Sequence, residues 1–217
     1  SKDAVTGKRL TNESPDKERQ NGEERVRTDK APGNNPGALS DRKVFMQYRK
    51  NPKNGDMLSI LGFGCLRFPR KGGGIDREET EREIVKAIEC GVNYFDTAYM
   101  YVDGKSENAI GEVLKKYPRE SFILTDKSPA YLINSKEDVL RIFNEQLKKC
   151  QVEYFVNYMV HNINKNSISN YRDNDMYGEL LKLKKEGKIK HLGFSFHGDP
   201  KMLREVISEH KWDFCQL

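Results

Sequence analysis

The chain has 217 residues, of which 36% are hydrophobic and 33% charged, with a formal net charge of +5. The length suffices for a sizeable core. The modest, sign-mixed charge, with no basic stripe interleaved by aromatics, excludes a nucleic-acid module. No run approaches the roughly 18 apolar residues that a bilayer span needs, and the four cysteines are too scattered for a disulfide framework or a zinc site.

Composition divides the chain near residue 43. Residues 1–43 hold almost no large apolar side chain beyond Val5, Leu10, Val26 and Leu39. Such a segment cannot bury enough surface to offset chain entropy, and it is expected to be a disordered polar tail. No apolar signal core stands at the N-terminus, so a reducing, cytoplasmic setting is expected. The chain begins at Ser1 rather than Met, which suggests that the natural start lies upstream. From residue 44 to 217 the pattern is that of one enzyme domain.

That domain opens with an alternating run, Phe45 to Arg49, then Asn54-Gly55, then Met57 to Leu61, which predicts a β-hairpin. Leu61 to Cys65 reads as a buried strand whose glycines, Gly62 and Gly64, allow close approach of a neighbour or a ligand. Lys71 to Gly74 is a flexible turn and no phosphate loop, because no Gly-Lys-Ser/Thr follows. Asp76 with Glu79 predicts a capped helix carrying Ile84, Val85, Ala87 and Ile88, stopped by Gly91. A strand over Val92 to Asp96 comes next.

The unit then repeats. Helices are predicted over 106–117, 135–150, 176–186 and 199–210, and strands over 122–127, 154–161, 189–196 and 212–217. Uninterrupted β-α alternation with apolar strands argues a parallel sheet flanked by helices, either doubly wound or a (β/α)8 TIM barrel. About six barrel-type strands are counted, preceded by the hairpin. A barrel reading therefore implies truncation after about six strands, with raw sheet edges.

In a barrel the C-terminal strand ends carry the chemistry. Asp96, Lys127 and His161 end successive strands, and Tyr101 lies in the loop after Asp96. Alternation puts Ile123, Thr125 and Lys127 on one strand face, and Asn157, Met159 and His161 on another. Each side chain alone has a plainer reading: a turn cap, a rim aromatic, a solvated lysine, a packed histidine. Their joint placement points to a site.

Phe95-Asp96-Thr97-Ala98-x-x-Tyr101 resembles the signature of the aldo-keto reductase family. Thr125-Asp126-Lys127, Met159-Val160-His161-Asn162, Gly193-Phe194-Ser195 and Cys215-Gln216 are similar to its later motifs in the same order, with Asp126 as an extra residue and Phe196 where an Asn is usual. The resemblance covers about residues 45–217. It looks closest to the branch with a C-terminal ferredoxin-like segment, so a [4Fe-4S] cluster is expected only in a segment absent here. The resemblance implies NADPH- or NADH-dependent reduction of a small-molecule aldehyde or ketone. Tyr101 would be the proton donor, its acidity raised by Lys127. Asp96 would hold Lys127, and His161 would orient the carbonyl. Asn162, Ser195 and Gln216, with Gly64 alongside, would meet the nicotinamide end of the cofactor. Phosphate and adenine contacts are expected after the last two barrel strands, so the chain alone is expected to bind cofactor poorly. No metal ligand is assigned. Two other readings stay open: Lys127 as a Schiff-base nucleophile of an aldolase-type barrel, and a non-catalytic, cofactor-sensing barrel.

Overall fold

The computed structural model describes residues 46–217; the tail expected at 1–43 lies outside the described residues. The hairpin is present. Strands β1 (Tyr48–Lys50) and β2 (Met57–Ser59) pair antiparallel, Tyr48 opposite Ser59 and Lys50 opposite Met57. Both are shorter than the alternating runs that announce them.

The expected strand over 61–65 shrinks to β3 (Phe63–Gly64). Its only sheet neighbour among the described residues is β6, so backbone on the other side is unpaired and Leu61 remains 61% exposed. The glycine turn closes a second small hairpin, β4 (Arg70–Lys71) with β5 (Gly74–Ile75). Gly72 and Gly73 have φ of 59° and 82°, the left-handed pair that a two-residue turn between twisted strands demands.

Helices and strands then alternate. They are α1 (Arg77–Glu89), β6 (Tyr94–Asp96), α2 (Ser106–Leu114), β7 (Ile123–Pro129), α3 (Lys136–Cys150), β8 (Phe155–Ile163), α4 (Ile168–Asp173), α5 (Met176–Lys185), β9 (Ile189–Phe196), α6 (Pro200–Glu209) and β10 (Phe214–Gln216). Caps set the helix starts. Asp76 accepts the Glu79 N–H, Ser135 and Asp138 form a full capping box, and Asp199 accepts from Lys201 and Met202. At α1 the box is half made, because the Glu79 side chain pairs with Arg82 instead.

The six strands β3-β6-β7-β8-β9-β10 form one all-parallel sheet whose spatial order follows the chain. That order is the winding of a TIM barrel, and β3 and β10 are its edges among the described residues. Registers step upward around the sheet: Asp96 lies opposite Thr125, Lys127 opposite Met159, and Pro129 opposite His161. This stagger is the strand tilt of a barrel. It lifts successive strand ends onto one rim.

The core lies between strands and helices, with Phe95, Leu124, Phe143, Phe155, Tyr158 and Phe194 fully buried. Helix α2 sits close against α3 at Gly111, where a Cβ would come within 2.7 Å of the Lys149 and Cys150 carbonyl groups. The β1–β2 hairpin covers the N-terminal strand ends. There the Asn93 side chain accepts from the Ser59 N–H at 2.9 Å and donates to the Met57 carbonyl at 2.7 Å. No helix of the described residues is long and apolar enough to cross a membrane.

Candidate active site

Strand β6 ends in Asp96, and a turn then returns the chain so that the Tyr101 N–H meets the Ala98 carbonyl at 3.0 Å. Lys127, on the neighbouring β7, points into this corner. Its Nζ donates to Asp96 Oδ1 at 2.5 Å and to the Thr97 carbonyl at 2.8 Å, and lies 4.8 Å from the centre of the Tyr101 ring. The corner itself is pinned: the Thr97 and Ser106 hydroxyls are 2.9 Å apart, and Ser106 donates to the Cys65 carbonyl at 2.8 Å. Burial alone would pull the Lys127 ammonium down, but Asp96 and Tyr101 outweigh it and hold it above its ordinary 10.5. Lys127 is therefore a fixed cation.

Strand β8 delivers His161 to the same corner. Its register against β9 shifts between Val160 and Ile163, an irregularity that spans His161 and Asn162, and Asn162 takes a left-handed φ of 56°. Such bulges turn side chains at a barrel rim. The His161 ring meets the Tyr101 ring edge-on, centroids 5.9 Å apart. Burial, and then the facing Lys127 and His197, push the imidazole down to about 4, so it is neutral at pH 7. Among the described residues, His161 Nδ1 and Asp96 Oδ2 are buried without a partner.

The other expected residues line up on the adjoining rim. Ser195 Oγ accepts the Asn162 N–H at 2.8 Å, and Gln216 lies opposite Ser195 in the sheet. Asn162 Oδ1 takes the Asn164 amide at 2.9 Å, leaving its own amide N–H groups free among the described residues. Gly64 lies opposite Asp96, and a Cβ there would meet nothing within 4 Å. A free amide, a hydroxyl whose proton has no acceptor among the described residues, and open space over Gly64 fit a flat carboxamide-bearing ring. A cavity of about 710 Å³ between β3 and α1, lined by Leu61, Phe63, Ala87 and Val92, shares only Gly64 with the residues of this rim.

The family model described as "Aldo/keto reductase family" matches residues 60–216. The chain belongs to the aldo/keto reductase family. Among curated relatives, it is 30% identical over 169 residues to "Probable aldo-keto reductase 1" of Glycine max, covering 74% of this chain and 47% of that protein. It is 27% identical over 155 residues to L-galactose dehydrogenase of Arabidopsis thaliana, covering 69% and 48%. Among solved structures, an aldo-keto reductase of Bacillus halodurans in its holo form aligns with a TM-score of 0.65 at 26% identity, over 78% of this chain and 56% of that one. An aldo-keto reductase of Klebsiella pneumoniae in complex with NADPH shares the fold, with a TM-score of 0.63 at 20% identity, over 76% and 54%. The chain thus spans about half the length of the curated relatives it matches.

Within this aldo/keto reductase domain, the extra Asp126 causes no slip. Thr125 and Lys127 face the barrel interior, where Asn157 donates to Thr125 Oγ1 at 3.2 Å, while Asp126 faces the helices. Sequence reasoning missed three features of the site. The Thr97 carbonyl serves as second anchor for Lys127. Tyr131, just after β7, sets its ring 6.1 Å from His161, and burial followed by nearby Tyr101 raises its phenol above the ordinary 10.0. Gln146 donates to the Lys127 carbonyl at 3.1 Å from behind the sheet. A signal for Gln146 exists: it is a polar residue on the buried stripe of α3, among Val139, Ile142, Phe143 and Cys150. Among the described residues no three His, Cys, Asp or Glu side chains gather to hold a metal, and nothing supports the expected iron–sulfur segment.

Proposed function

We propose that this chain carries the proton-donating and carbonyl-orienting machinery of an NAD(P)H-dependent reductase that converts a small aldehyde or ketone to an alcohol. One observation carries the reading. A buried Lys127 ammonium is held between Asp96 and the Tyr101 ring, with a neutral His161 packed edge-on to that ring. A reduced nicotinamide supplies the hydride that goes to the carbonyl carbon. The chain's own residues do the rest.

Tyr101 gives its Oη proton to the carbonyl oxygen as negative charge builds there, and Lys127 stabilises the charge left on Tyr101. Asp96 keeps the ammonium aimed, using one oxygen, and the Thr97 carbonyl fixes its direction. Neutral His161 hydrogen-bonds the substrate oxygen without competing as an acid. Asn162, Ser195 and Gln216 orient the nicotinamide amide, and Gly64 leaves room beside it. Family membership supports NADPH or NADH as the donor.

The fixed ammonium also weighs against Schiff-base chemistry, which needs a lysine with a depressed pKa and a free amine. Lys127 shifts the other way. The test is quenching of Trp212 and tyrosine fluorescence by NADPH or NADH. It is made on the 217-residue chain and on the longest natural polypeptide containing it, followed by loss of the reduced cofactor on adding a carbonyl compound. Binding and turnover by the longer protein are expected. A protein that binds neither cofactor, or one trapped covalently on Lys127 by borohydride with a carbonyl compound, would overturn the reading.

A further inference from the structure

Behind β7, on the side away from the active site, lies a second polar cluster. Glu107 of α2 and Asp126 of β7 are both fully buried, as are Gln146 of α3 and Tyr158 of β8. Glu107 Oε1 accepts from Gln146 Nε2 at 2.8 Å, and Oε2 from Lys149 Nζ at 3.0 Å. Asp126 Oδ1 accepts the Lys127 N–H at 2.8 Å, while Cys150 Sγ lies 3.6 Å from Oδ2. The two carboxyls are brought together at the Lys127 backbone, whose N–H goes to Asp126 and whose carbonyl meets the same Gln146 amide that serves Glu107 Oε1. Gln146 completes the set: its Oε1 accepts from the Tyr158 hydroxyl, and its Nε2 reaches the Lys127 carbonyl at 3.1 Å.

The position of this cluster matters. The β6–β7 ladder ends with Asp96 opposite Thr125, two residues before Lys127. The cluster takes over there, binding the peptide N–H of Lys127 through Asp126 and its carbonyl through Gln146. Its charges do not balance as two carboxylates. The cation in contact is Lys149; the other ionisable neighbours are Cys150 on α3, Tyr158 on β8 and Cys65 just after β3, with Asp96 and Lys127 paired to each other on the opposite face of the sheet. Two adjacent buried anions against one ammonium repel, and one proton makes the group neutral.

We propose that Asp126 and Glu107 share one proton, with Asp126 holding it, and that this acid pair is the clamp that positions Lys127. The direction of titration agrees: burial, then Glu107, hold the Asp126 carboxyl well above the ordinary carboxylate range. The shared proton has a consequence across the sheet. An ionised Asp126 would be a second counter-charge for Lys127 and would compete with Asp96 for it. As an acid, Asp126 binds the backbone of Lys127 and leaves the ammonium to Asp96 and Tyr101. The positioning role rests on the reductase reading; the shared proton does not.

Infrared difference spectroscopy of the full natural polypeptide tests the proton directly. A protonated-carboxyl C=O stretch is expected at neutral pH, shifting in D2O and lost in Asp126→Asn. In Glu107→Gln the same band is expected to titrate away at lower pH than in the wild type. Turnover tests the clamp. Asn reproduces both the acceptor for Lys127 N–H and a donor towards Glu107, so Asp126→Asn should keep wild-type kcat. Asp126→Leu removes both and should lower kcat by about a hundredfold, the scale of a misaligned catalytic group, with cofactor Kd unchanged. The absence of the band in the wild-type protein overturns the proposal whether or not any variant folds. So does a band untouched by Asp126→Asn, or an Asp126→Asn protein as impaired as Asp126→Leu. If the wild type shows the band but reduces no carbonyl compound, the reductase reading fails and the shared proton stands.

Discussion

The two ends of the barrel treat polar groups in opposite ways. At the N-terminal end, under the β1–β2 hairpin, most polar side chains of the described residues find partners, buried Arg119 Nε being an exception. Asn93 bonds Ser59 and Met57, His191 Nε2 sits 2.9 Å from Asp56 Oδ2 and 2.8 Å from Asn54 Nδ2, and Asp213 accepts the Leu192 N–H at 2.7 Å. At the C-terminal end, Asp96 Oδ2 and His161 Nδ1 are buried with no partner among the described residues, and Asn162 is left-handed. Unmet hydrogen-bonding capacity costs stability and persists where something else uses it. On the proposed function, the difference separates an end built for stability from one built for chemistry.

The largest way to break this contrast is Lys127→Met. It strands the Asp96 carboxylate, whose side chain is 14% exposed, beside a vacated ammonium site. A stability loss of about 3 kcal/mol is expected in denaturant unfolding, as for other broken buried pairs. Carbonyl turnover should vanish. Adding Asp96→Asn should restore much of the stability and none of the turnover. Tyr101→Phe separates the two quantities further. Its hydroxyl makes no hydrogen bond within the described residues, so stability should hold, while kcat should fall by about 10² to 10⁴ with cofactor Kd unchanged. A Tyr101→Phe protein that turns over normally would remove Tyr101 from the mechanism. At the other end, Asn93→Ala deletes two hydrogen bonds that tie the hairpin down. A loss of about 2 kcal/mol is expected, with kcat untouched.

Much of this contrast is legible in the sequence, for reasons that differ by element. Strand β9 runs over Ile189–Phe196 as read, because the alternating apolar residues Leu192, Phe194 and Phe196 follow a helix-ending Gly187. Helix α3 begins where Ser135 and Asp138 announce it. Asp96, Tyr101, Lys127 and His161 meet because each lies at, just before or just after a strand end in a sheet wound in chain order, although β7 and β8 run two residues beyond the ends expected at Lys127 and His161. Other features left weaker signals. Helix α4 hides in a stretch rich in Asn and Ser, since its fold depends on local bonds such as Asn164 N–H to Ser167 Oγ at 3.1 Å and on one buried aromatic, Tyr171. Leu140 of α3 is apolar yet faces solvent at 50% exposure, while polar Gln146 takes the buried stripe. A stripe of residue types cannot show that an amide is needed there; only the Lys127 carbonyl it meets can.

The smallest effects separate the two histidines that typify the ends. His161 has a folded-state value of about 4 against an ordinary 6.5, so the unfolded chain takes up its proton first as pH falls. Stability is therefore full above pH 6.5 and declines between 6.5 and 4, by at most about 1.4 kcal/mol per pH unit. His161→Gln cannot take that proton. Its urea midpoint should fall less steeply over the same window, while its KM for carbonyl compounds rises because the group meeting the substrate oxygen has changed. His191→Ala should do the reverse at pH 7, costing about 1 kcal/mol for its lost bonds to Asp56 and Asn54 and leaving kcat and KM as they were. Should His191→Ala impair turnover as much as His161→Gln, the two ends would be coupled, and the division of labour drawn from their hydrogen bonding would be wrong. Should His161→Gln leave both the acid slope and KM unchanged, its unpartnered nitrogen would serve neither substrate nor stability. The functional rim would then contract to Asp96, Tyr101 and Lys127.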